Sequence, residues 1–317
     1  MEKILLLGRK QDPHIVGIAK ELKTLEEDYL ILDQFSKSDS FYVKFDDTTT
    51  CLIESEGRKI PGNEIKSVWN SDALKINVHE KILEEAKRFV RGEWTEGILS
   101  LWNSIDALWV NHPAVISSVS NRLKQLDLAK KIGLPTPKTL ITNDPDQLGK
   151  FFEECNGEII AKTLNSSSGL PDGKMIFTTK ITQKDLDNSD LLRHSPCVFQ
   201  EYIPKKTEFR VTMIGKKIHA VEIHSQNSTK TKHDWRQYDD FQKTPYVYAD
   251  LPAKVSHKLQ QIMKDTKLEF GGCDLIRTPD DNYVFLEINP NGRWWWIQEL
   301  TGVNMAKDMA LHLARNN

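Results

Sequence analysis

The amino-acid sequence predicts an α/β fold that becomes α+β in its C-terminal part. Two observations carry this. Over residues 1–114, short apolar runs alternate with segments of helical periodicity, the pattern of a small, largely parallel sheet with crossover helices. From Phe209 onward, apolar runs follow one another across tight turns, the pattern of antiparallel hairpins. A chain of 317 residues is long enough for about two domains and a substantial core.

The elements can be justified in order. "KILLLG" reads as a strand, "HIVGIAKELKTLEED" as a helix and "YLILD" as a second strand. "FYVKF" and "CLIES" are extended, "KSVWN" is a strand, "HEKILEEAKRFV" and "TEGILSLW" are two helical stretches, and the strand "ALWVN" closes the unit. No Walker A sequence and no GxGxxG follows the first strand, so a P-loop or dinucleotide site there is unsupported. The helix in "HPAVISSVSNRLKQLDLAKKIGLPTPKTLITND" is stopped by Gly133, Pro135 and Pro137, and Pro145 opens the next, "NDPDQLGKFFEEC". Strand "EIIAKTL", loop "NSSSGLPDG", strand "KMIFTT", helix "TQKDLDNSDLL" and strand "CVFQEYI" then describe a flap. "FRVTMIGKKIHAVEIHS" gives two strands about a "GKK" turn, and residues 225–246 are charged and irregular. A helix over 253–267 puts Val255, Leu259, Ile262 and Met263 on one stripe, and a hairpin and a helix over 303–315 end the chain. Three units follow: 1–114, an N-terminal α/β domain; 115–200, a lid subdomain; and 201–317, a C-terminal subdomain.

A formal charge of −2 and a pI near 6.5 argue against a dedicated nucleic-acid binder, so any phosphate partner should be small. Cys51, Cys155, Cys197 and Cys273 lie far apart without a CxxC pair, and they read as reduced core thiols rather than a zinc or disulfide framework. The apolar run in "MEKILLLGRK" is too short for a signal peptide or a membrane span, so a cytoplasmic protein is expected.

The chemistry concentrates in "GGCDLIRTPDDNYVFLEINPNG". "PDDN" (279–282) is a turn between two apolar, β-rich segments. With Thr278 opposite Tyr283, Asp274 lies across from Glu287, and Asn289 projects from the same face. Like charges directly opposite each other are destabilising, and the apolar flanks speak against a merely exposed acidic hairpin. A cation would relieve the repulsion. A few hard oxygen ligands with room for others are what Mg2+ uses when shared with substrate phosphates. Lys162 ends an apolar strand, where an ammonium must either pair with an anion such as a phosphate of ATP or snorkel to the surface. "NSSSG" (165–169) could drape backbone N–H groups over phosphates or be an ordinary hairpin loop. In "FQEYIPKKTEFRV", Glu201 sits where one element hands over to the next. Glu208 and Arg210 share a strand face, as a plain ion pair or for ribose recognition and oxyanion stabilisation respectively.

In this order the motifs resemble those of the ATP-grasp superfamily of carboxylate ligases, over residues 115–317, preceded by a pre-ATP-grasp α/β domain. The resemblance implies ATP and Mg2+ as cofactors. It places Lys162 on the phosphates, the hinge Gln200, Glu201, Tyr202 and Ile203 around adenine, Glu208 on ribose and Arg210 near an acyl phosphate, with Asp274, Glu287 and Asn289 on Mg2+. Arg122, in "NRLKQL", falls where many members carry another nucleotide-binding lysine, with Lys124 the alternative.

Within the superfamily, "NHPAVISSVSNRLKQLDLAKKIGLPTP", "HDWRQYD" (233–239) and "NPNGRWWWIQELTG" resemble the graspetide maturases, the microviridin-type peptide macrocyclases. Those enzymes join Asp or Glu side chains of a ribosomally made precursor to Thr, Ser or Lys side chains, as lactones or lactams. Asp234, Trp235 and Arg236 occupy the Asp-x-Arg pattern with which they recognise the acidic side chain. From the residues alone, an Arg fork suits a carboxylate with Asp234 orienting it, or the two form a local surface pair. Trp294, Trp295 and Trp296 are expected to cover the core more than to contact peptide. The N-terminal Trp with paired arginines that these enzymes often carry is absent from "VWNSDALK". The implied partner is a precursor peptide, a leader plus an acidic, Thr-rich core; neither nucleic acid nor membrane is implied, and a homodimer is compatible with the resemblance. Two rival readings are a ligase that adds an amino acid to a protein or small-peptide carboxylate, of the glutamate-tailing or glutathione-synthetase kind, and a degenerate nucleotide-binding scaffold. The intact set Lys162, Arg210, Asp274, Glu287 and Asn289 stands against the scaffold.

Overall fold

The computed structural model describes residues 2–33, 35, 39–71, 76, 78–164, 176–237 and 244–315. The N-terminal part runs β1 (Lys3–Leu7), α1 (Pro13–Thr24), β2 (Tyr29–Leu32), β3 (Ser40–Phe45), β4 (Thr49–Ser55), β5 (Arg58–Pro61), β6 (Ile65–Asn70), α2 (Glu84–Asn103) and β7 (Leu108–Val110). Strands β2-β1-β6-β7 pair in parallel, and β3-β4-β5 form a separate antiparallel sheet. Alternation along β1 sends Ile4 and Leu6 into a core shared with α1 and the C-terminal helices, and Leu5 and Leu7 into one shared with α2. The two helical stretches expected around residues 79–102 are one helix. Its apolar face is buried only at Ile98, Leu101 and Trp102, so the first half shows little periodicity, and without proline Gly92 and Gly97 do not break it.

Helices α3 (Pro113–Val119) and α4 (Arg122–Lys131) lead into β8 (Thr139–Thr142), α5 (Pro145–Glu154), β9 (Ile159–Lys162), β10 (Thr179–Lys180), α6 (Gln183–Asp187) and β11 (Cys197–Glu201). The antiparallel sheet β10-β9-β11-β8 buries Ile159 and Phe199 against Leu148 and Phe151 of α5. Of the expected strand "KMIFTT", Thr179 alone is paired, Ile176–Thr178 is irregular, and Lys174 and Met175 lie outside the described residues. Helices α3 and α4 pack away from this sheet: Val119, Leu126, Ala129 and Leu134 belong to the core of the next unit.

That unit comprises β12 (Thr207–Ile214), β13 (Lys217–Ile223), β14 (Tyr246–Tyr248), α7 (Ala253–Thr266), β15 (Phe270–Arg277), β16 (Tyr283–Asn289), α8 (Trp295–Thr301) and α9 (Met305–Ala314). Its antiparallel sheet has the order β14-β13-β12-β15-β16. The α7 stripe Val255, Leu259, Ile262 and Met263 is buried as its spacing predicts, against Phe209, Val211 and Met213 of β12. Alternation then sends Glu208 and Arg210 to the other face. Helix α8 has no clear sequence signature, because three successive tryptophans obscure helical periodicity.

The β15–β16 hairpin departs from expectation twice. Arg277, not Thr278, faces Tyr283, so the connection runs from Thr278 to Asn282. An extra residue, Leu286, then bulges from β16 between the pairs Leu275–Phe285 and Asp274–Glu287. The departures cancel, and Asp274 does face Glu287. Because of the bulge, Phe285 and Ile288 enter the core while Leu286, Glu287 and Asn289 all line a cleft, which strict alternation forbids.

Asn111, 1% exposed, ties the N-terminal sheet to this unit. Its amide donates to the carbonyls of Phe270 and Pro290, both at 2.8 Å, and its oxygen accepts the N–H groups of Glu269 (2.8 Å) and Phe270 (3.1 Å). All four cysteines are free thiols; Cys51, Cys155 and Cys273 are buried and Cys197 is half-buried. Among the described residues, no helix is long and apolar enough to cross a membrane.

Candidate active site

The β8–β11 sheet and the β12–β16 sheet face each other across a cleft of about 450 Å³. Every candidate site residue lines it: Arg122, Lys162, Gln200, Glu201, Tyr202, Ile203, Glu208, Arg210, Asp234, Arg236, Asp274, Glu287 and Asn289. Lys124 does not; its backbone N–H closes the Asn121 cap of α4, so at this helix start Arg122 faces the cleft. The "NSSSG" loop lies outside the described residues.

At the hairpin end, each carboxylate is paired with an arginine. Arg210 donates through Nη1 to both oxygens of Asp274, at 3.1 and 3.0 Å, and Arg122 donates through Nη2 to Glu287, at 2.8 Å. Arg122 is delivered by Gln125, one turn further along α4. The Gln125 amide exchanges two hydrogen bonds with the Ile288 backbone, both at 2.9 Å, and so clamps the helix to β16. Arg210 lies across two glycines: a Cβ at Gly272 or at Gly292 would stand 2.6 Å from its Nη2. Its Nε is buried without a partner among the described residues. Burial, and then the neighbouring Glu287 charge, raise the Asp274 carboxyl despite Arg210. Burial also works against ionisation of Glu287, but Arg122, Lys162, Arg210 and Arg236 outweigh it and hold that carboxyl below its ordinary value.

These residues fit a hard cation. The Asn289 amide oxygen is fixed by the Asn291 N–H at 2.9 Å, beside two carboxylates held in register. Among the described residues no cluster of three His, Cys, Asp or Glu side chains could hold a metal by itself. Two carboxylates and an amide would leave most of an octahedral shell to other oxygens, as Mg2+ shared with phosphates requires.

Towards the hinge, Gln200 is 1% exposed; its amide nitrogen donates to Thr139 Oγ1 at 3.0 Å, and its oxygen has no partner among the described residues. Glu201 accepts the Lys138 N–H at 3.2 Å, and the Lys180 ammonium sits 5.3 Å from the centre of the Tyr202 ring. Glu208 accepts from Ser225 Oγ at 2.7 Å and pairs with Lys205 at 3.0 Å. Lys205, whose side chain is 5% exposed, also donates to the His233 carbonyl at 3.1 Å. It was not singled out in sequence, where "PKK" looks like surface charge. Burial pushes the Lys162 ammonium down to about 8, against the pull of Glu287.

The segment after Ser225 brings Arg236 to the same cleft. Asp234, 4% exposed, accepts from Arg236 Nε (2.9 Å), Arg236 Nη2 (2.5 Å), the Arg236 N–H (3.0 Å) and the Thr178 N–H (2.9 Å). Burial opposes its ionisation, but Arg236 and these N–H groups hold its carboxyl down to about 2. The Thr178 bond fastens the segment to the residues just before β10. Of the tryptophans, Trp294 is 1% exposed in the core, whereas Trp296 lines the cleft and meets the Trp235 ring at 5.2 Å. Trp295 and Trp296 pack against the same core, as expected, and Trp296 lines the cleft as well.

A profile of the RimK-like ATP-grasp domain matches residues 119–313. A RiPP-associated ATP-grasp ligase from Chryseobacterium gregarium, solved with ADP and a leader and core peptide, is 27% identical. The superposition has a TM-score of 0.89 and covers 99% of this chain and 96% of that one. The macrocyclase MdnB from Microcystis aeruginosa MRC is 25% identical, with a TM-score of 0.81 over 100% of both chains. Among curated proteins, a probable alpha-L-glutamate ligase from Mannheimia succiniciproducens is 22% identical over 65% of this chain and 67% of its own length.

Proposed function

The chain belongs to the RimK-like ATP-grasp family, and from that premise we propose that it is an ATP- and Mg2+-dependent peptide macrocyclase. In this reading it activates Asp or Glu side chains of a ribosomal precursor peptide and joins them to Thr, Ser or Lys side chains. The observation that carries it is Arg236, a guanidinium braced on buried Asp234 in the same cleft as Lys162, Arg210 and the acidic hairpin. The Arg236 Nε and Nη2 are engaged by Asp234, so the end of the guanidinium, with the Nη1 protons and the second Nη2 proton, is what would meet a substrate carboxylate. The whole-chain likeness to a ligase solved with ADP and a leader and core peptide supports the same reading.

The chemistry has two steps. A carboxylate oxygen attacks the γ-phosphorus of ATP, the bond to the β-phosphate oxygen breaks, and ADP leaves an acyl phosphate. A hydroxyl or amine of the peptide then attacks the acyl carbon, loses its proton and expels phosphate, so the peptide loses one water per link. Lys162 and Arg122 would bind the phosphates, Gln200–Ile203 adenine, and Glu208 ribose; Arg236 would hold the carboxylate. Arg210 would stabilise charge on the transferring group and on the acyl oxygen. Asp274, Glu287 and Asn289 would hold Mg2+, which supplies neutralisation of charge on the phosphate oxygens.

The test is high-resolution mass spectrometry of Thr- and Asp/Glu-rich peptides encoded beside the gene, after incubation with protein, ATP and Mg2+. Loss of whole waters, only with ATP, is expected. A gain of one amino-acid residue would overturn the reading in favour of the tailing activity that the glutamate-ligase name of the Mannheimia relative suggests. No change in any such peptide would also overturn it.

A further inference from the structure

The cleft holds another exposed guanidinium that this reading leaves without a task. Arg293 lines the cleft and its side chain is 47% exposed. Its Nη1 donates to Asp12 Oδ2, on a carboxylate whose side chain is 4% exposed. The other Asp12 oxygen accepts the His14 N–H at 2.9 Å and meets His14 Nδ1 at 2.7 Å. His14 Nε2 accepts the N–H groups of Trp294 (3.1 Å) and Trp295 (3.0 Å), so the ring proton belongs on Nδ1 and is donated to Asp12. The cap and first turn of α1 thus grip Arg293 by its side chain and the two following residues by their backbone.

This repeats the construction around Arg236. There too a buried aspartate accepts backbone N–H groups and fixes an arginine that is otherwise exposed, at 38%. The two arginines flank one aromatic wall: Trp235 precedes Arg236, its ring meets Trp296 at 5.2 Å, and Trp296 Nε1 donates to the Arg293 carbonyl at 3.2 Å. They differ in what is left over. Arg236 uses Nε and Nη2 on Asp234, whereas Arg293 uses Nη1 alone on Asp12. Among the described residues its Nε–Nη2 edge has no partner, and this edge forms parallel bonds to a carboxylate. Nor is Arg293 paired there with Asp274 or Glu287, the carboxylates beside which nucleotide phosphates are expected.

We propose that Arg293 is a second carboxylate receptor. It holds an acidic side chain of the peptide other than the one being activated, and Asp12 and His14 are its positioning residues. A fork fixed in advance loses little side-chain freedom on binding. The inference rests on the peptide-ligase reading for the identity of its ligand, and its test needs no turnover.

Protein loaded with Mg2+ and AMPPNP is titrated with hexa-aspartate and, separately, with N-acetyl-aspartate amide, by calorimetry and by tryptophan fluorescence from the cleft wall. The native protein should bind hexa-aspartate at least ~10-fold more tightly than the single residue, the scale of one charge-assisted contact. Arg293→Gln should remove most of that advantage and leave AMPPNP affinity within about twofold, since no role in nucleotide binding is assigned to it. Asp12→Asn, which keeps the guanidinium but loosens its brace, should weaken hexa-aspartate binding by several-fold, less than Arg293→Gln does. Circular dichroism checks that both variants are folded; Arg293 is exposed enough that its variant stands on its own. Unchanged hexa-aspartate binding in Arg293→Gln, an equal loss of AMPPNP affinity, or no preference in the native protein would each overturn the inference. Water loss from a precursor together with any of these results would sink the second receptor alone.

Discussion

Replacing Asp234 with Asn tests whether Arg236 is held as the structure has it. The Asp234 carboxyl, 4% exposed, lies at about 2 against an ordinary 3.8. A shift of that size is worth about 2 kcal/mol of native-state stability. The folded value is the lower one, so this stability is fully present above the unfolded value and is lost as the pH falls from 3.8 towards 2. Part of it belongs to the Thr178 and Arg236 N–H groups, and the Arg236 side chain is 38% exposed and therefore screened, so the ion pair itself should account for ~1 kcal/mol. Urea unfolding at neutral pH of the native protein, Asp234→Asn, Arg236→Gln and the double variant measures both quantities. The native protein should exceed Asp234→Asn by about 2 kcal/mol, with a coupling of ~1 kcal/mol in the cycle, and the gap should hold down to about pH 4.5 before narrowing. A coupling of zero, or a gap that already closes between about pH 7 and 5, would refute the pairing.

Gly292→Ala should displace Arg210, whose Nη2 would stand 2.6 Å from the new Cβ. The expected result is a kcat at least ~10-fold lower with nucleotide affinity nearly unchanged, and a normal kcat would show that the guanidinium moves freely. Lys162→Met should stabilise the free protein while weakening MgATP. The folded pKa of about 8 lies below the ordinary 10.5, so the charged lysine costs stability below about pH 8, and that cost fades as the pH rises towards 10.5. On the order of 2 kcal/mol should appear in urea unfolding at neutral pH, after allowance for the open cleft, and a less stable variant would contradict the shift. Glu287→Gln and Asn289→Ala should each abolish ATP-dependent product formation, and near-normal turnover in both would remove the metal assignment.

Much of the site was legible because its residues follow a period. Asp274, Glu287 and Asn289 share a face by alternation, as do Glu208 and Arg210, and all of them line the cleft. Yet strict alternation gives the right hairpin pairing only because two departures from it cancel. A one-residue shift at the turn and the Leu286 bulge leave Asp274 opposite Glu287, and neither has a sequence mark stronger than a run of apolar residues. Lys205, Gln125 and the Asp12–His14–Arg293 group were illegible for another reason. Each acts across a long separation in sequence or through backbone atoms, as when His14 accepts the N–H groups of Trp294 and Trp295. Packing of the N-terminal domain brings Asp12 and His14 to Arg293, docking of α4 on β16 brings Gln125 to Ile288, and the segment after Ser225 brings His233 to Lys205; no local pattern encodes such contacts.

The acids of the cleft are matched to cations, but the matches are of two kinds. Asp234 accepts two backbone N–H groups as well as Arg236, and Asp12 accepts the His14 N–H and ring N–H as well as Arg293, so these are fixed braces. Among the described residues, Asp274 and Glu287 accept hydrogen bonds from Arg210 and Arg122 alone. Their partners are therefore exchangeable, and a hard cation at the hairpin would free both arginines for phosphate oxygens. Arg122→Gln separates the two kinds. It leaves Glu287, whose side chain is 35% exposed, without its closest cation, a loss of about 1 kcal/mol. Mg2+ added without nucleotide should restore much of it, so the rise in Tm on adding it should be larger in Arg122→Gln than in the native protein. If Arg122 is a fixed brace instead, the variant will be destabilised and the rise in Tm will be no larger than in the native protein.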